Sequence, residues 1–289
     1  MISVVQLIVG QLLNGIIVGT LYGIIALGVT LTFGITGIVN FALGAFMAIG
    51  AYLVWYLTDE LGIAYPLAVP LAVAGTALFG LIADQTLFRF TRNNLINGLI
   101  VSIGLISVIE SVLLILWTTT PKNMHYVLPG VLNLEWFIVP KMKGVVFLVL
   151  LVVILSTYGA LTRTWAGRAA YAFAQAAEAA TLMGVRTGLL QTGVVVYSTA
   201  LAGLGGALYA SLYSLEVSMG SSYILKGVEA AILAGIGSVM GSLVGGILLG
   251  VTEAIGSLYF PQAYRDAYGL IFLVLILLLR PAGLFGGRR

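Results

Sequence analysis

MISVVQLIVGQLLNGIIVGTLYGIIALGVTLTFGITGIVNFALGAFMAIGAYLVWYLT, residues 1–58, contains no acidic or basic side chain. A membrane-crossing helix needs about 20 consecutive apolar residues, so this stretch is long enough for two passes. The break between them falls at FGITG, residues 33–37, where glycines and a threonine interrupt the apolar run. The first pass is expected over about 4–32 and the second over about 38–57. The pattern continues along the chain. Asp59 and Glu60 punctuate it, and 61–83 is a third uncharged run ending at Asp84. A fourth segment, about 94–117, contains Glu110, a fifth covers 144–162 and a sixth about 189–214. Residues 118–143, with three prolines, read as a structured external loop and not a span.

Composition agrees with this pattern. Only 8% of the chain is charged and 61% is hydrophobic, where a soluble domain has about 25% charged residues; a soluble fold would lack the polar surface to cover its core. The 289 residues allow about eight to ten crossings and leave no stretch for a soluble catalytic domain. The expected fold is all-α: a polytopic transmembrane helical bundle, one domain over residues 1–289, with about 7–9 crossings and broken or re-entrant helices. No cysteine is present and His125 is the lone histidine, which excludes disulfides, thiol catalysis and Cys-ligated metal and leaves no His-based metal site. The start has no basic segment ahead of its apolar run, so the first hydrophobic segment is expected to be retained. The pI of 9.1 does not point to nucleic acid, because the basic residues sit in short loops where they set membrane orientation.

Arg89 with Arg92, then Arg163, Arg168 and Arg186, then Arg280, Arg288 and Arg289 occupy three connections that the positive-inside bias assigns to the cytoplasm. Asp59, Glu60, Glu216 and the loop around His125 then lie outside, although Lys122, Lys141 and Lys143 make that loop mildly basic. An external N-terminus and an internal C-terminus require an odd number of crossings, so residues 226–260 contribute none or two. Five glycines within GIGSVMGSLVGG, residues 235–246, favour a broken or re-entrant pair of short helices there, since two full spans in that length would be cramped.

Glycine makes up about 13% of the chain (37 residues), against about 7% usually. Gly15, Gly19 and Gly23 share one helix face, as do Gly241 with Gly245 and Gly246 with Gly250, the spacing that lets membrane helices approach closely. Two stretches go beyond packing: 33–50, with Thr36 and Asn40, and 225–246, with Ser238 and Ser242. Irregular backbone at membrane depth is tolerated only when buried in protein or lining a watery cavity, and such breaks in two halves of a chain point to a translocation pathway. The candidate pathway residues are therefore Gly34, Gly37, Asn40, Gly44, Gly235, Gly237 and Ser238. A kinked helix packed against its neighbours is the plainer alternative. Glu110 and Glu253 are carboxylates within or beside apolar segments and hence candidates by default; for Glu110 the alternative is a hydrogen bond to Ser107 or Ser111. Lys226 and Glu229, three apart, are expected to pair. No run of intramembrane acids or histidines suggests a proton relay.

RTWAGRAAYAFAQAAEAATLMGVRTGLLQTG, residues 163–193, is too polar to span and rich in helix formers, which reads as a cytoplasmic helix. Within it EAATLMG, residues 178–184, resembles the cytoplasmic coupling loop of ABC importer permeases: Glu-Ala-Ala, three residues, then Gly. VNFALGAFMAIGAY at 39–52, YSTALAGLGGALYA at 197–210, ILAGIGSVMGSLVGGILLG at 232–250 and LLLRPAGLFG at 277–286 follow in the order that is similar to the LivH-type permeases of the branched-chain amino acid ABC importers, over essentially the whole chain. No Ile-x-Leu-Pro follows the coupling segment, and Leu43 stands where many relatives have His. The resemblance implies a permease subunit of the bacterial-type cytoplasmic membrane that pairs with a homologous second permease, two cytoplasmic ATP-binding subunits and an extracytoplasmic substrate-binding protein. It also implies that Glu178, Ala179, Ala180 and Gly184 form the ATPase-coupling surface, within a loop of about 163–188, with Arg168 and Arg186 steering it. ATP and Mg would bind the partners and no cofactor this chain, which has no GxxxxGK[ST] phosphate loop. The substrate class implied is branched-chain or other hydrophobic amino acids, with urea, amides or aromatic acids as family alternatives. A partner-independent carrier or channel is the rival from another class. No constellation of nucleophile, base and metal supports an enzyme.

Overall fold

The computed structural model describes residues 4–286 apart from 93, 126, 127, 129, 135, 136, 260, 262 and 263; Arg288 and Arg289, used above for orientation, lie outside the described residues. The helices are α1 (Val4–Leu31), α2 (Leu43–Trp55), α3 (Tyr65–Thr86), α4 (Leu95–Trp117), α5 (Lys141–Arg163), α6 (Trp165–Gln175), α7 (Ala177–Leu182), α8 (Thr187–Ala210), α9 (Met219–Ala234), α10 (Val239–Tyr259) and α11 (Arg265–Leu279). Six helical stretches among the described residues, those of α1, α3, α4, α5, α8 and α10, are long and apolar enough to cross a membrane. Three shorter ones, α2, α9 and α11, have 13, 16 and 15 residues, about 20 to 24 Å at 1.5 Å per residue, less than the roughly 30 Å hydrocarbon core.

The short α2 is the centre of the bundle. Its sequence LGAFMAIGAYLVW is small or apolar all round, the signature of a helix with no solvent face, and all but two of its residues are buried. α1 and α10 pack antiparallel through the glycine ladders seen in the sequence. A Cβ on Gly19 would lie 2.6 Å from the Gly246 carbonyl oxygen, and one on Gly15 would lie 2.8 Å from that of Gly250, so only glycine permits this backbone-to-backbone approach. The other spaced pair faces α9: Gly241 and Gly245 pack on Ala234 and Ala230. In contrast, α3, α4, α5 and α11 present rows of exposed large side chains such as Leu71, Ile100, Ile115, Leu148 and Leu278. Such a belt suits lipid and would be a liability in water.

The pair expected at 226–260 is broken at Gly235 and Gly237, but only one member is short: α9, which begins upstream at Met219, has 16 residues and falls below a full span, whereas α10 is a 21-residue helix of spanning length. The structured loop expected at 118–143 contains β1 (Val131–Leu134) and β2 (Phe137–Pro140), an antiparallel hairpin in register Leu132↔Val139 and Asn133↔Ile138; the expected start of α5 is corrected from 144 to Lys141. Apolar and β-branched residues concentrated in these two short runs supply the strand preference. Backbone hydrogen bonds between Lys122 and Leu215, 3.1 and 2.7 Å, tie this loop to the α8–α9 connection.

Candidate translocation and coupling site

The break at the end of α1 is real and has an identifiable geometry. Residues Thr32–Thr36 wind into a π-helical turn, and Gly37 takes a left-handed conformation, φ 71°, with its N–H on the Phe33 carbonyl. The chain then runs as irregular backbone to Phe41 before α2 begins. Asn40 shapes this re-entry: its Oδ1 accepts from the Ala42 N–H at 3.0 Å, the local turn that short amide side chains favour. The side chain is buried, and its Nδ2 has no hydrogen-bond partner among the described residues.

The second break, between α9 and α10, is built from Gly235 and Gly237 at φ 94° and 100°, followed by Ser238, whose Oγ accepts from the Gly241 N–H at 3.0 Å and caps α10. The two breaks meet. A Cβ on Gly34 would lie 3.1 Å from the Gly237 Cα. Gly235 packs against the tail at Ala282 and Gly286, and Gly235–Met240, with Tyr158, Tyr171 and Phe285, line a cavity of about 470 Å³. Burial, with Tyr158 nearby, raises the Tyr171 hydroxyl above its ordinary range. Gly44 does not join this cluster; it sits at the α2–α9 crossing, backbone to backbone with Gly220. Glu110 stands apart as well, and its partner is neither Ser107 nor Ser111: the Ser221 hydroxyl on α9 donates to its Oε1 at 2.6 Å, a tie between helices.

The pairing of Lys226 with Glu229, 3.4 Å, is one edge of a larger ionic cluster. Lys226 Nζ lies 2.8 Å from Glu253 Oε1 and 3.1 Å from Asp266 Oδ1, while Arg265 Nε lies 2.9 Å from Glu253 Oε2. The Tyr22 hydroxyl donates to the same Oε2 at 2.9 Å. Glu253 is fully buried, so its charge is tolerable only because three donors converge on it. The cluster joins α1, α9, α10 and α11. Sequence reading missed Tyr22, Arg265 and Asp266; the available signal was Glu253 itself, a buried carboxylate that had to find a cation from some neighbouring segment.

The segment for which a cytoplasmic coupling helix was expected, residues 163–193, holds two helices ahead of α8 rather than one. The chain breaks at Ala176, φ −153° and ψ 90°, between α6 and α7. Thr164 caps α6 by accepting from the Gly167 N–H at 3.2 Å, and Gly167, Ala169, Ala170 and Phe173 form its buried face. α6 lies beside the π-helical turn at Thr32–Thr36, and Gly167 packs on Leu161 of α5. Gly184 ends α7 at φ 86°: its N–H reaches the Thr181 carbonyl at 3.0 Å and that of Val185 reaches Ala180 at 3.1 Å, the Schellman pattern that calls for glycine. Glu178 and Ala179 are exposed, whereas Ala180 is buried. The most exposed apolar groups here are Leu182 and Met183, at 88% and 85%, both missed in the sequence although two large apolar side chains before a glycine in a polar loop were a readable signal. Arg168 is exposed on α6, away from the α7 tip in sequence, and Arg186 flanks the start of α8.

The chain matches the family model described as the branched-chain amino acid transport system / permease component over residues 11–279. It is 30% identical to the high-affinity branched-chain amino acid transport system permease protein BraD of Pseudomonas aeruginosa, covering 96% of this chain and 95% of that protein. It is 28% identical to the permease protein LivH of Escherichia coli, over 96% and 94%, and to a probable LivH of Methanocaldococcus jannaschii, over 94% and 91%. No solved structure matches.

Proposed function

The chain belongs to the family of branched-chain amino acid transport permease components, and we propose that it forms half of an alternating-access pathway for branched-chain or other hydrophobic amino acids, driven by ATP hydrolysis in partner subunits. It is a multi-pass permease of the inner membrane. In this reading a second homologous permease supplies the other half of the pathway, two cytoplasmic subunits bind ATP and Mg, and an extracytoplasmic binding protein delivers the substrate.

The observation that carries the proposal is the contact between the two backbone breaks, Gly34 against Gly237, with α6 lying beside the same π-helical turn. A movement of the coupling helices by an ATPase would therefore reach the break directly, through packed side chains and no flexible linker. Packed elements of this kind switch between discrete arrangements rather than deform gradually. Asn40, with an unpaired Nδ2, would contribute a donor once the break opens, an amide suited to a substrate carboxylate. Leu182 and Met183, beside Glu178, would form the knob that enters the ATPase, which adds to the surface assigned from the resemblance.

The test is isolation of the intact complex from native membranes and measurement of ATPase activity with binding protein loaded with leucine. Leucine stimulation, with two ATPases and a second permease present, supports the proposal; ATPase activity without leucine stimulation redirects the substrate to urea, amides or aromatic acids. A chain that purifies alone and still moves solute refutes it. Gly184→Val adds a sharper arm: no atom crowds this site, so its effect is confined to the backbone, where a β-branched residue at positive φ is strained by about 1–2 kcal/mol. Rewinding the α7 tip should abolish leucine-stimulated uptake while the chain still inserts.

A further inference from the structure

A groove of about 580 Å³ opens between the cytoplasmic ends of α1, α5 and α8, with α6 as its floor, a size within the roughly 300–1,000 Å³ of small-molecule sites. The hydrogen-bonded pair Thr157 Oγ1 and Tyr197 Oη, 2.6 Å apart, lines it, and its walls are apolar, with Ile35 and Leu190 among them. Trp165, Leu189 and Tyr197 line it yet remain exposed, Trp165 at 70%, so the groove is open on its flank. Among the described residues Arg186 is its one charged lining residue and no acidic side chain lines it. Arg163 and Arg168 bracket Trp165 in the chain. All three arginines are exposed, and none has a side-chain acceptor among the described residues.

An apolar trough with an unpaired cation at its cytoplasmic mouth and an exposed tryptophan beside it has the polarity of one molecule: an acyl chain below an anionic headgroup. Tryptophan settles at the headgroup level, and basic pockets between membrane helices on the cytoplasmic side take anionic lipid headgroups. We propose that this groove holds one acyl chain of an anionic phospholipid, its phosphate on Arg186. The lipid packs between α8 and the coupling helix α6, so its occupancy wedges the element that leads to the ATPase.

Native mass spectrometry of the complex in mild detergent, with added phosphatidylglycerol or phosphatidylcholine, tests this. One retained phosphatidylglycerol is expected, with phosphatidylcholine lost. Arg186→Gln should weaken retention about fivefold, the share of one basic residue near an anionic headgroup. Gly193 also lines the groove, and a Cβ there meets nothing within 4 Å, so Gly193→Phe fills the trough without a backbone clash and should abolish retention. Equal retention of phosphatidylcholine, or unchanged retention in Gly193→Phe, overturns the proposal. So does a photocrosslinker at Leu189 that captures another subunit instead of lipid, since the groove would then be a protein interface. These readouts do not depend on which solute the complex transports, so failure here is separable from failure of the transport assignment.

Discussion

Replacing Glu253 with Gln is the most discriminating perturbation of the bundle. The substitution keeps size and removes charge from a fully buried carboxylate that receives Lys226 at 2.8 Å, Arg265 at 2.9 Å and the Tyr22 hydroxyl at 2.9 Å. Breaking one partner of a buried ion pair costs about 3–5 kcal/mol, because the remaining charge is left uncompensated. Here the lower end applies. Lys226 keeps Asp266 at 3.1 Å and Glu229 at 3.4 Å, and the Arg265 side chain is 34% exposed and can rehydrate. About 3 kcal/mol, at roughly 2 °C per kcal/mol for a chain of this size, lowers the thermal midpoint of the detergent-purified protein by about 6 °C. The double variant Lys226→Met with Glu253→Leu removes both buried charges of the closest pair and should recover part of that loss. An unchanged midpoint in Glu253→Gln would refute the reasoning, since it would mean that the cluster is solvated or that α11 does not dock through it.

The glycine ladder predicts a contrast within one helix: Gly19→Ala drives a Cβ to within 2.6 Å of the Gly246 carbonyl and should destabilise by about 1–3 kcal/mol, whereas Gly10→Ala meets no atom within 4 Å and should be neutral or stabilising. Thermal midpoints of the two side by side check this. Replacing both Leu182 and Met183 with Asp should leave the midpoint of the isolated chain within about 0.5 kcal/mol of wild type, as surface changes do, while ATPase subunits no longer co-purify. Retention of the ATPases in that variant would remove the two residues from the docking surface.

The legible part of this protein was what local pattern and solvent dictate. A charge-free run of 58 residues marked membrane segments, although the second pass expected over 38–57 is corrected to α2, a 13-residue helix too short for a full crossing because the chain first runs as irregular backbone after Gly37. The glycine spacing declared close helix packing because no residue with a Cβ tolerates backbone contact. The interruptions at 33–40 and 235–238 were visible for the same reason: glycine and short polar residues in an apolar run make helix continuation unfavourable. The four-residue repeats marked both of the faces that the structure brings together, Gly15 and Gly19 on α1 and Gly246 and Gly250 on α10. Pairing could not be read, however, because a glycine face states that something approaches without stating what.

Tertiary structure alone decided who meets whom. Gly34 and Gly237 lie about 200 positions apart in the chain, and nothing local relates them. Glu110 reached past Ser107 and Ser111 to Ser221 because those nearby hydroxyls already donate to carbonyls of their own helix. Glu253 acquired Arg265 and Tyr22 from opposite ends of the sequence, and Gly44 met Gly220 of α9. Burial of charge and contact of backbones are properties of assembled helices. The sequence sets the length, polarity and smallness of each helix, and only their packing in three dimensions determines which carboxylate finds its cation and which break faces another.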